Sequence, residues 1–189
     1  MDSGYELKKE EVADFIQKVD ELSASERIAL KRCCGKLLKD ANAKAATAFY
    51  KVFFLPDKWK ERLFAVACMR CLWSFEDVVE YGKSAIPFEM VLRKKRQDLE
   101  QKDLEQKDLG WSGMERRLIR LFDRRWDRDG LLCADIWRMV EQMKRDGYMV
   151  DMVSLGMDLC RWNWESKWVQ QRWLQVCYSE KKEEKQDVD

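Results

Sequence analysis

Apolar residues recur every three to four positions along most of the chain, the spacing of one buried helix face. From about Glu6 to Leu22, the residues Val12, Phe15, Ile16, Val19 and Leu22 share such a face and predict a first helix. Ser23 and Glu26 have the spacing of a capping box and start a second, expected to reach about Ala41. A third spans about Ala43 to Phe54 and stops before Pro56. The next, Lys58 to about Trp73, is apolar over most of its circumference, which predicts a central position. Pro87 suits the first turn of another helix, running to roughly Lys95.

The segment "DLEQKDLEQKDLG" then gives a five-residue unit twice and begins it again. Each five-residue step rotates Leu99, Leu104 and Leu109 by about 140° around a helix, so no apolar stripe forms. The repeat reads as a solvated linker over residues 96–110, between an N-terminal bundle (1–95) and a C-terminal bundle (111–178). In the second bundle Ser112 and Glu115 form another capping box before a helix to about Trp126. A helix near Leu131 to Asp146 follows, with Gly147 as its stop. Asp151 caps a helix bearing Leu155, Leu159 and Trp162, and the last covers about Glu165 to Tyr178. The charged tail, 179–189, is expected to be disordered.

The fold class is therefore all-α, and the low content of chain breakers, two prolines and eight glycines, agrees. No apolar leader or membrane-length run is present, and seven cysteines in a chain with ample core predict reduced thiols in a cytoplasm. The net charge of +1 hides an uneven distribution. Between Arg27 and Arg70, eleven basic residues face three acids, whereas the first 26 residues are acidic.

The densest cationic pattern lies in "SGMERRLIRLFDRRW". On a helix, Arg116, Arg117, Arg120 and Arg124 fall on one side, and Met114, Leu118, Leu121 and Phe122 fall opposite. Such a stripe suits phosphate, because adjacent guanidinium groups repel one another until an anion joins them. The same spacing also describes an ordinary solvated face. Arg27, Lys31, Arg32, Lys36 and Lys39 form a second basic run in "SERIALKRCCGKLLKD", equally open to both readings.

"RWNWESKWVQQRW" sets four tryptophans among cations. Trp173 shares a face with Val169, Val176 and Cys177, and Trp162 continues the Leu155–Leu159 stripe, so both read as core rather than as platforms for bases. Trp164 sits at the corner between two helices. Trp168 lies off the core face, near Arg172.

Catalytic patterns are poor. The chain has no histidine, which removes Ser-His and Cys-His pairs and His-bearing metal sites. Cys68 and Cys71 spell CxxC, but within a hydrophobic helix and without a second such pair, so they read as buried packing groups. No glycine-rich phosphate loop occurs. A non-enzyme without metal or other cofactor is expected.

Four blocks, "ALKRCCGKLLKDANAKAATAFYKV", "ERLFAVACM", "SGMERRLIRLFDRRW" and "YMVDMVSLGMDLCRWNWESKWVQQRW", give a chain that resembles the CasB family. This is the small subunit of Cascade, the type I-E CRISPR RNA-guided surveillance complex. The blocks span most of residues 27–178; the acidic first 25 residues and the DLEQK repeat fall outside the resemblance. The resemblance implies a non-catalytic helical subunit of an antiviral complex, present as a head-to-tail pair with a second copy of itself. It would lie beside the guide RNA-protein backbone subunits and the large subunit, holding target DNA and the displaced strand of the R-loop by the sugar-phosphate backbone. Matched by motif, Lys31 and Arg32 belong to the basic helix, Arg116 and Arg117 to the paired arginines, Arg138 to the following helix, and Lys167 and Arg172 to the closing block. Arg120 and Arg124 enter from helix geometry alone. A reading of another class is a helical adaptor whose basic faces meet acidic protein partners.

Overall fold

A computed structural model describes residues 6–74, 77, 84–103, 110–126 and 129–179. The described residues form α-helices, two 3-10 turns and one isolated parallel bridge between Ile86 and Val150. The chain is all-α. Helix α1 (Lys9–Asp20) buries Val12, Phe15, Ile16 and Val19, and α2 (Ala24–Lys31) opens where the Ser23 N–H donates to the Glu26 carboxylate at 3.0 Å. Helix α3 (Ala43–Val52) is capped by Asn42, whose side chain accepts from the Ala45 N–H.

The second helix ends well before Ala41. At Gly35 the backbone turns left-handed (φ +77°), and a Cβ there would come within 2.5 Å of the Trp137 ring. Only glycine gives both the turn and that approach. The chain then buries Leu37 and Leu38, and the Leu38 N–H donates to Glu61 at 2.9 Å.

Helix α4 (Lys60–Arg70) is buried from Leu63 to Arg70 and touches α1 and α2, as its nearly continuous apolar surface predicts. It also meets α7 (Leu131–Arg145) and α8 (Met152–Arg161). Helices from both sides of the repeat thus share one continuous apolar cluster. Gly156 lets α8 close on this core: a Cβ there would meet Val12 at 3.0 Å and Leu63 and Val66 at 3.7 Å.

Helix α5 (Phe88–Asp103) continues past Lys95 into the first repeat unit, so part of the expected linker is helical. Tertiary anchors absent from the local pattern hold it. Lys95 pairs with Asp146, Asp98 accepts from the Tyr148 hydroxyl, and Arg96 lies over the Tyr178 ring. Helix α6 (Gly110–Asp123) already contains Ser112, so that residue is inside the helix rather than at its cap. Residues 104–109 of the repeat and 180–189 of the tail lie outside the described residues.

The C-terminal half closes around rings. Trp162 and Trp173 meet edge to face at 5.1 Å; Phe88 packs on Trp173 at 4.5 Å, and Phe122 lies 6.4 Å from Trp162. These four residues join α5, α6, the end of α8 and α9 (Trp168–Tyr178). Aromatic burial of this kind dominates local packing energy.

Candidate nucleic-acid interface

On α6 the division of faces follows the helical periodicity. Met114, Leu118, Leu121 and Phe122 are buried, while Arg116, Arg117 and Arg120 are exposed. With Gly113 and the exposed Ile119, the three arginines line a shallow depression. Arg124 leaves the stripe: it pairs with Asp135 of α7 at 3.0 Å, and its carbonyl accepts from the Trp162 indole at 2.9 Å.

Asp135 also holds Arg138, exposed on α7, at 3.2 Å. One carboxylate therefore couples the end of α6 to the basic position of α7. The segment after α2 lies against this same helix, since Gly35 abuts Trp137 and the Cys133 thiol donates to the Lys36 carbonyl at 3.6 Å. Lys31, the last residue of α2, and Arg32 and Lys36 on that segment are exposed. The fold thus sets the N-terminal basic run beside the helix that carries Arg138, an adjacency that the sequence leaves open.

Lys167 is exposed at the start of α9, where its own backbone is left-handed (φ +48°). It borders a cleft of about 430 Å³ together with Arg124 and Arg125. Arg125, exposed beside Arg124, was legible only as the second letter of an Arg-Arg pair.

Arg172 is used differently. It is half-buried and bridges two buried acids, Asp158 at 2.5 Å and Glu89 at 3.2 Å, while lying 4.9 Å over the exposed Trp168 ring. The Trp173 indole donates to the same Asp158 oxygen at 2.8 Å. Burial drives the Asp158 carboxyl up to about 6 against the opposing pull of Arg172. Sequence spacing missed this network because its two acids come from α5 and α8. A second internal network joins Asp20 to Arg70 at 2.8 Å and to Arg27 at 2.9 Å, removing both arginines from the exposed set.

The tryptophans divide as their spacing predicts: Trp162 and Trp173 are buried, and Trp164 and Trp168 are exposed. Cys68 and Cys71 are buried, and burial pushes the Cys71 thiol up to about 11 and Cys68 well above its ordinary value. The thiolate needed for redox chemistry or metal binding is strongly disfavoured there. Among the described residues, no three acidic or sulfur side chains group as metal ligands would, and no helix is long and apolar enough to cross a membrane.

No protein-family model and no curated protein sequence matches the chain. Solved structures do. CasB of M. ruber superposes with a TM-score of 0.66 at 16% identity, over 90% of this chain and 94% of that one. The chain has a CasB-like fold. A chain of a CRISPR RNA-guided surveillance complex matches at TM-score 0.64 and 18% identity, over 89% of this chain and 92% of that one. Another, from such a complex in a pre-nicking state, matches at 0.67 and 19% over the same shares.

Proposed function

We propose that this chain is the non-catalytic small subunit of a CRISPR RNA-guided surveillance complex. In antiviral defence it holds the target strand and the displaced strand of the R-loop by their sugar-phosphate backbones. Its partners are the guide RNA-protein backbone subunits, the large subunit and a second, head-to-tail copy of itself, in the cytoplasm.

The observation that carries this reading is the row of Arg116, Arg117 and Arg120, exposed on α6 and backed by a buried apolar face, within a CasB-like fold. The contiguity of the α2 segment with α7 supports extending the cationic surface to Lys31, Arg32 and Arg138. Lys167 joins it at the edge. Arg124 and Arg172 serve it by holding helices together rather than by meeting phosphate.

Guide pairing reads the sequence, so a supporting subunit needs only contacts that tolerate any base. R-loop formation is nearly balanced in energy, so a few arginine–phosphate contacts to the open state are enough to shift it. The test is the complex assembled with an Arg116→Ala/Arg117→Ala/Arg120→Ala chain. Assembly is expected to persist while the R-loop dissociates faster; an unchanged R-loop lifetime would overturn the assignment.

A further inference from the structure

The cleft between the end of α6 and the turn joining α8 to α9 differs from the arginine row. Phe122 and Trp162, both buried, form its apolar wall, and the half-exposed indole of Trp164 stands at its mouth. Arg125 and Lys167 border it, but so do the exposed acids Asp123 and Glu165, and Arg124 is already paired with Asp135. The remaining lining charges balance, two against two, and Arg161, over the Trp164 ring, is paired with Glu6, so the cleft is a poor seat for phosphate. It suits a flat, neutral group with hydrogen-bonding edges.

Gln170 supplies the polar element. It is 5% exposed and lines the cleft. Its Nε2 donates to the Trp162 carbonyl at 2.8 Å, which fixes the amide, while its buried Oε1 has no donor. A buried acceptor left unpaired is costly, and a ligand N–H reaching it removes that cost. The turn itself is pinned from both sides: Asn163 exchanges hydrogen bonds with the Trp126 backbone at 2.7 and 2.8 Å, and the Lys167 N–H donates to the Trp164 carbonyl at 3.0 Å.

We infer that this cleft receives a nucleobase turned out from a single strand, stacked on the face of Trp164 opposite Arg161, whose guanidinium lies 5.4 Å over the ring, with its amino or imino edge toward Gln170 Oε1. The inference rests on the nucleic-acid reading above and deepens it: phosphates follow the arginine row, and one base leaves the strand to enter the aromatic cleft. Every base has a ring face and at least one N–H, so such a seat fixes register without reading sequence.

The test uses the full-length chain and fluorescence anisotropy at low salt with labelled single strands of about twelve nucleotides. One strand carries bases and its counterpart, of equal length and charge, is wholly abasic. The base-bearing strand is expected to bind about tenfold tighter. Trp164→Ala should erase that preference while leaving abasic binding unchanged, and Gln170→Leu should reduce it; thermal melts report whether both variants stay folded. Equal binding of the two strands by the wild-type chain overturns the base seat but leaves backbone binding standing. A preference that survives both substitutions places the base elsewhere and equally overturns it. Binding of neither strand overturns the seat, and the R-loop lifetime of the assembled complex then decides the backbone reading by itself. Repeating the pair in RNA separates the two sources of a base, since the polymer with the larger preference is the one the cleft takes.

Discussion

The guanidinium of Arg172 lies 2.5 Å from the carboxylate of Asp158, an acid only 2% exposed to solvent. Glu89, also buried, shares the same cation, so one arginine serves two acids among α5, α8 and α9. Removing it strands both carboxylates in the core. Arg172→Ala should therefore cost about 3 kcal/mol of stability, the scale for breaking a buried pair from one side. For a chain of this length that lowers Tm by roughly 6–12 °C. Denaturant titration of the variant checks this, and a loss of nucleic-acid binding without loss of stability would instead make Arg172 a phosphate contact.

The same site gives stability a pH dependence. Asp158 is held up to about 6 in the folded chain, against an ordinary value of 3.8. Between those values the unfolded chain has released the proton while the folded chain keeps it, so rising pH favours unfolding. The contribution is present in full below pH 4 and is lost by about pH 6. Asp158→Asn lacks this titration. The stability of wild type relative to Asp158→Asn should thus decline from pH 4 to pH 6, by at most about 3 kcal/mol, and be flat above. Paired thermal melts across that range provide the measurement, and a rising difference would reverse the assignment of burial as the dominant influence.

How much of this was legible beforehand depends on whether the deciding partner is local. Helix α1, the Gly147 stop and the Asp151 cap follow from residues within a few positions of each other, and the structure reproduces them: Gly147 is left-handed at φ +82°, and Asp151 accepts from Val153 and Ser154. The exposed row Arg116–Arg117–Arg120 was legible for the same reason. The early end of α2 was not, because Trp137 packs against Gly35 from far along the chain. Nor was the continuation of α5, which depends on Asp146, Tyr148 and Tyr178. Arg124 and Arg172 have the spacing of surface cations, and acids on other helices decide otherwise.

Gly35 joins the two basic segments through a contact that tolerates no side chain. Gly35→Ala combines a left-handed backbone with a methyl group 2.5 Å from the Trp137 ring. The backbone alone costs roughly 1–2 kcal/mol, and the steric conflict adds to it. We expect a total loss of about 3 kcal/mol by chemical denaturation. Trp137→Ala in the same background relieves the clash but not the backbone strain, so the double variant should recover only part of the loss. Additive losses would show that the two residues do not press on each other.

Salt separates the roles of the arginines. An arginine on phosphate releases counterions when the complex forms, so the logarithm of affinity falls with the logarithm of salt by roughly 0.7 per contact on a single strand. Arg117→Ala and Arg120→Ala should each lower that slope by about this amount and weaken binding alike for any sequence. Arg124→Ala should leave the slope nearly unchanged, because its guanidinium is engaged by Asp135. Its cost should fall on stability, as Asp135 is then left with Arg138 of its own helix and the ion pair from the end of α6 to α7 is lost. Anisotropy titrations of the three variants at several salt concentrations, beside their melting curves, distinguish the two classes. Equal slopes for all three would mean that the exposed row does not touch phosphate.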